Sequence, residues 1–169
     1  MVIARTKLMI QDDLLRPRPA FRIKYTGPNA ARLYEEIPHL LAAAFRTQTG
    51  EVQEKKISWT KGETEKFTIL WELNKDVDKF SYYYIELELA GSESKGYGSA
   101  TISLKDGTLR TEYPQETQWE RSLLYEVLRM VYHTVFYERK RDFWIRDGRR
   151  QLSVFVDELK RLIREWSAE

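Results

Sequence analysis

The apolar pattern predicts an α+β domain: an antiparallel meander sheet of about five to six strands, covered on one face by a long helix, with a bent helix after the first strand and an extra C-terminal helix. Three observations carry this. Runs such as Phe67–Leu73 and Phe80–Leu89 alternate apolar and polar residues with the period of a half-buried strand. Two later runs repeat at helical spacing. A chain of 169 residues that is 42% hydrophobic and 13% aromatic can bury one proper core.

Residues 1–19 read as an N-terminal arm whose apolar members, among them Val2, Ile3, Leu8, Met9, Ile10, Leu14 and Leu15, dock in part. Pro17 and Pro19 break any helix there, because proline lacks an amide donor and restricts its predecessor. Residues 20–169 form the single domain. Phe21, Ile23 and Tyr25 face one way on the first strand, and Gly27-Pro28-Asn29 turns the chain. A helix follows through Leu33, Tyr34 and Ile37, and Pro38 should kink or restart it before His39–Phe45.

Strands are expected over Glu51–Trp59, through Phe67, Ile69, Trp71 and Leu73, and over Phe80–Leu89, with a loop at Gly91–Gly96. Ala100, Ile102 and Leu104 point inward on the next strand. Asp106-Gly107 is a hairpin signal that separates it from Leu109–Tyr113. Thr117-Gln118-Trp119-Glu120 matches a capping box. It opens a long helix to Tyr137 whose polar stripe is only Ser122, Glu126, Arg129 and His133, so burial on most sides is expected. Gly148 marks a break. The last helix carries Leu152, Phe155, Leu159, Leu162 and Trp166 as a narrow apolar seam.

Composition excludes several chemistries. There is no cysteine, hence no disulfide, cysteine-held zinc, iron–sulfur cluster or thiol nucleophile. Two histidines, His39 and His133, leave little for a histidine metal site. No apolar run approaches the roughly 18 residues of a membrane span. The first residues are too polar for a signal peptide, so a cytoplasmic location is expected. Dense Glu, Lys and Arg with few Met give a thermophile-like composition.

The order strand, bent helix, antiparallel meander, long helix over residues 20–145 resembles the helix-grip layout of START-type lipid-binding domains. It is similar also to the half-repeat of TATA-binding-protein-like folds: strand, helix, four strands, helix. It resembles as well an uncharacterised archaeal family with such a fold, which supplies no activity. The helix after Gly148 departs from both named layouts.

Candidate constellations are few. Glu86 and Glu88 share a strand face about 7 Å apart, near the spacing of paired catalytic carboxylates. The competing reading is a solvated outer face. His133 shares a stripe with Glu126 and Arg129 but lacks any metal-binding spacing, and His39 reads as a helix-kink residue. Gly96-Tyr97-Gly98-Ser99-Ala100 lacks the third glycine and following helix of a phosphate loop. No catalytic residue, metal ligand or cofactor is assigned.

Trp59, Trp71, Tyr83, Trp119, Tyr125 and Phe136 could line a cavity for a small apolar ligand between sheet and helix, or fill a core. Tyr82 and Tyr84, with Leu152, Phe155, Leu159, Leu162 and Trp166, could form an interface. Arg139, Lys140, Arg141, Arg146, Arg149 and Arg150 surround Phe143 and Trp144 as a basic patch. The net charge of +2 conceals segments: residues 1–32 carry +5, residues 33–137 carry −5 and residues 138–150 carry +3. The leading reading is a non-enzymatic binding or interaction module acting as a homodimer. The second is a carrier of a small apolar ligand, and the third is nucleic-acid binding through the basic arm and patch.

Overall fold

The computed structural model describes residues 9–16, 21–113 and 122–167. The capping box at Thr117–Glu120, Trp119, Pro17 and Pro19, and arm residues 1–8 lie outside them. The fold is α+β, with strands β1 (Met9–Asp13), β2 (Arg22–Pro28), β3 (Val52–Thr60), β4 (Glu65–Asp76), β5 (Ser81–Ser94) and β6 (Tyr97–Glu112) in one antiparallel sheet. Helix α1 (Leu33–Phe45) follows β2. Helix α2 (Leu123–Tyr132), a π-helical turn (His133–Tyr137) and α3 (Glu138–Trp166) follow β6 as one uninterrupted helical run.

The sheet order is β1-β6-β5-β4-β3, and β2 also pairs with β6. β1 lies along residues 108–112 of β6, and β2 lies along residues 97–103. They are two collinear pieces of one edge strand, so residues read as an arm belong to the sheet. Leu14, just past β1, is 3% exposed in the core. With β1 and β2 counted as one interrupted strand, the order is strand, helix, four strands, helix.

β6 corrects the expected hairpin at Asp106-Gly107. It runs straight through that dipeptide, and the register slips between Glu86 and Leu87 because Lys105 is an extra residue on β6. A bulge of this kind shifts the side-chain phase by one. Ala100, Ile102 and Leu104 face inward before it, and Gly107, Leu109 and Thr111 after it. The broken period is what makes one strand read as two. The loop expected at Gly91–Gly96 is a two-residue turn instead. Lys95 (φ 52°) and Gly96 (φ 77°) are both left-handed, as a type I′ hairpin requires, and β5 and β6 pair up to Ser94 and Tyr97.

One face of the sheet is covered by α1 and α3 side by side. Leu33, Ile37, Leu41 and Phe45 of α1 and Leu152, Phe155 and Leu159 of α3 meet Ile69, Trp71, Leu73, Ile85, Leu87, Leu89 and Ile102, all nearly fully buried. α1 does not restart at Pro38. It is a single helix with the proline inside it, preceded by a 3₁₀ turn at Ala30–Arg32. Nor does the last helix break at Gly148, where the lack of a side chain answers a packing need: a Cβ there would meet Tyr83 and Leu14.

Candidate functional site

The largest departure from the sequence pattern concerns α2. Its side chain at Ser122 caps the helix by accepting from the Tyr125 amide. Of the four stripe residues expected to be wet, Ser122, Arg129 and His133 are half-buried against the body, while Glu126 is exposed. Leu124, Val127, Leu128, Met130, Val131, Val135 and Phe136, expected to be buried, are 51–68% exposed, and Tyr132 is 44% exposed. The helix is thus attached by its polar stripe and presents its apolar surface outward.

The attachment has a clear construction. At the sheet's end, the Tyr113 hydroxyl and His133 Nδ1 share a hydrogen bond of 2.7 Å. The Arg129 guanidinium stands 5.8 Å from the Tyr113 ring centroid, a cation–π distance. Tyr137, 1% exposed, packs edge-on against Phe80 and Tyr113. Burial and the nearby Arg141 push the His133 imidazole below its ordinary value. Burial pushes the Tyr113 hydroxyl up to about 12. His133 and Tyr137, four residues apart, lie on the same inward side of the helical run.

Asp78, in the turn between β4 and β5, clamps the start of α3. Its carboxylate accepts the Phe80 and Ser81 amides at 2.8 and 2.9 Å, the Tyr137 hydroxyl at 2.9 Å and the Trp144 indole at 3.3 Å, with Lys140 Nζ also at 3.3 Å. Burial alone would raise its pKa, but these donors outweigh it and hold the carboxyl below the ordinary range. Ser81 Oγ completes the network with Tyr137 at 2.6 Å and Thr111 at 2.7 Å. Sequence reasoning missed Asp78, Ser81 and Tyr113, since no local spacing connects them to the helix. The stripe through Arg129 and His133 was visible, but its direction was not.

The other candidate residues are dispersed. Leu152, Phe155, Leu159 and Trp166 are buried in this chain's own core and Leu162 is half-buried against it, so that seam covers the sheet and does not present an interface. Trp166 meets Tyr25 edge-on at 6.2 Å, with the Arg32 guanidinium 4.9 Å from its ring. Tyr82 is half-buried and donates to Glu112 at 2.9 Å. Tyr84 is 8% exposed, under the Arg110 guanidinium at 3.5 Å and bonded to Lys55, Glu72 and Glu86, so it is tied within the outer face. A bulge at Lys55 in β3 aims that amine at Glu72 (2.6 Å) and Glu86 (3.4 Å), and Glu88 pairs with Lys105 at 2.8 Å. Glu86 and Glu88 are therefore members of a cross-strand charge ladder.

The five described cavity candidates do not converge on one cavity, and Trp119 lies outside the described residues. Trp71 and Tyr83 are fully buried, Trp71 stacked on Tyr34 and Tyr83 edge-on to Phe45, and Trp59 lies against Phe67 and Tyr34. Tyr125 is half-buried on α2, and Phe136 points outward at 68% exposure. An open cleft of about 750 Å³ near the C-terminus of α1 is lined by polar residues, including Arg46, Glu51, Lys75 and Asp76, and by none of these five.

Within the basic patch, Arg141 pairs with Asp12, Lys140 with Asp78, and Arg149 donates to the Asp13 carbonyl at 3.3 Å. Arg139, Arg146 and Arg150 are exposed on one side of α3 with Phe143 between them, 54% exposed. His39 is exposed beside Thr49. Among the described residues, no group of three or more histidines and acids is placed to hold a metal ion, and no helix is long and apolar enough to cross a membrane.

No protein-family model matches this chain, and no curated protein matches it. Among solved structures it is similar to the crystal structure of Ara h 8.0201, with 12% identity over 81% of this chain and 97% of that chain. The TM-score of 0.17 is too low for that likeness to support a functional reading.

Proposed function

We propose that this chain is a non-enzymatic interaction module whose docking surface is the outward face of α2. The observation that carries the reading is the inverted helix: eight large apolar side chains from Leu124 to Phe136 are 44–68% exposed while Arg129 and His133 of the polar stripe are spent on Tyr113. So many large apolar side chains left open on one helix form the kind of contiguous patch that marks an interaction site. The clamps at Tyr113–His133 and Asp78–Tyr137 hold that face on a rigid frame, which lowers the ordering cost of binding.

The test is a double variant, Leu128→Glu with Val131→Glu, followed by thermal unfolding and binding of a hydrophobic dye. A docking face tolerates both charges: the variant keeps its melting temperature and binds less dye. A variant that unfolds shows instead that these side chains are core, and the reading fails.

A further inference from the structure

Resting on that reading, we infer that the α2 face docks on an anionic lipid surface, with its apolar side chains in the acyl boundary and the exposed arginines of α3 on the headgroup phosphates.

The charge beside the patch selects this occupant. α2, the π-helical turn and α3 form one helical run. Leu124, Leu128, Val131 and Val135 follow one another at four, three and four residues, the spacing of one helical face, and each is 51–58% exposed. In further steps of four, four, three and four, the same line passes through Arg139, Phe143, Arg146 and Arg150, all exposed. Glu126, Glu138 and Asp142, also exposed, fall off it. Of the basic residues in this part of α3, Lys140, Arg141 and Arg149 are tied to Asp78, Asp12 and the Asp13 carbonyl. The side chains of Arg139, Arg146 and Arg150 make no ion pair or hydrogen bond among the described residues. The cations left free are therefore those on the outward line. Arginine's planar fork matches phosphate oxygens in pairs. Residues 122–150 carry seven basic and four acidic groups, net +3. An apolar face with basic residues beside it is the composition of a helix that lies in the interface plane of a bilayer.

Shape agrees with the charge. Met130 and Phe136 stand one residue before and one residue after the line, and they are the most exposed of the patch at 64% and 68%. The patch is thus a ridge, apolar on both flanks. A bilayer closes around a ridge without a matching shape, whereas a protein partner needs a groove lined on three sides. A nucleic acid would engage the arginines and leave the apolar half uncovered. The contact lies along the surface and is not a span: no helix of the described residues is long and apolar enough to cross a membrane.

The full chain is sedimented with vesicles of phosphatidylcholine alone and of phosphatidylcholine mixed with phosphatidylglycerol. The inference predicts binding to the anionic vesicles and little to the neutral ones, weakened several-fold when salt rises from about 0.1 M to about 1 M. A triple variant, Arg139→Gln, Arg146→Gln and Arg150→Gln, should bind the anionic vesicles on the order of a hundredfold more weakly, since each cation near an anionic surface contributes about fivefold. The chain lacks cysteine, so Val131→Cys can carry a single polarity-sensitive fluorophore. Its emission should shift to the blue on anionic vesicles, while the same label on Lys95→Cys, in the turn between β5 and β6, should not shift. Binding that survives the Leu128→Glu, Val131→Glu pair would be charge alone and overturns the inference. Binding displaced by a single-stranded oligonucleotide, with no shift at residue 131, assigns the arginines to a nucleic acid and overturns it too. Absence of vesicle binding, in a chain whose Leu128→Glu, Val131→Glu variant keeps its melting temperature and binds less dye, overturns the lipid surface but leaves the docking face standing. A variant that unfolds overturns both.

Discussion

Gly148 of α3 lies directly over the ring of Tyr83: a Cβ at Gly148 would stand 2.7 Å from Tyr83 Cε1 and 3.1 Å from Leu14. The Tyr83 hydroxyl donates to the Trp144 carbonyl at 2.7 Å, one turn earlier on the same helix. Helix and sheet therefore touch at backbone distance here, and a tyrosine fills the gap. Burial and the nearby Asp147 carboxylate push the Tyr83 hydroxyl well above its ordinary value, so it stays a donor throughout the accessible pH range.

Gly148→Ala is expected to destabilise the fold despite alanine's better helix propensity. Propensity contributes up to about 1 kcal/mol in favour of the change. Forcing a methyl against two packed side chains costs about 1–3 kcal/mol. The expected net loss is about 1 kcal/mol, a fall in melting temperature of about 2–4 °C. A more stable variant would show that the helix does not approach the sheet this closely.

Leu159→Ala tests the placement of the C-terminal seam. Leu159 is fully buried beside the sheet. Truncating it should cost about 2–5 kcal/mol in a cavity-forming change. That loss should be independent of protein concentration. If the seam were instead an interface between copies, the loss would grow on dilution.

His133 should make the docking of α2 sensitive to mild acid. Burial and Arg141 hold its imidazole below the ordinary value in the folded chain. The stability it lends is then complete above about pH 6.5 and is lost as pH falls through the lowered folded value. Amide hydrogen exchange across residues 122–137 should accelerate between pH 7 and 5 beyond the intrinsic rate change. His133→Gln should flatten that extra response, and an unaltered profile would refute it.

Asp78 acts in a different window. Its carboxyl is held below the ordinary value of 3.8, so its contribution is present above about pH 4 and is lost as pH falls further. Asp78→Asn keeps the size but replaces one acceptor oxygen with a donor, facing the Tyr137 hydroxyl and two amides. The expected cost at neutral pH is about 1–3 kcal/mol. The tryptophan emission of Trp144 should change with it, because its indole hydrogen bond to Asp78 is altered. Unaltered stability would show that the clamp is idle.

Fold class was legible because period is a local property. Alternation along β4 and β5 and the apolar spacing through Leu152, Phe155 and Leu159 mark which residues share a face, and those faces do line the core. Reading failed where the local pattern was interrupted for a reason located elsewhere. Lys105 is an extra residue only because β5 runs past it unbroken, so β6 looked like a hairpin. Gly148 looked like a helix end, yet it is small because Tyr83 lies beneath it. Of the candidate site, the stripe at Arg129 and His133 was visible, while Tyr113 and Asp78 were not, being distant in sequence.

Residue order alone thus settles which side chains lie together on β4, on β5 and along the Leu152–Leu159 seam, and it shows that the chain lacks the cysteine chemistries. It does not settle which face of α2 meets the protein. Amphipathicity says only that the two sides differ. The inward side was chosen by the partners waiting at the sheet's end, a tyrosine that bonds a histidine and sits under an arginine. Those contacts give the polar stripe a better place than water, and the apolar side of α2 is left facing out.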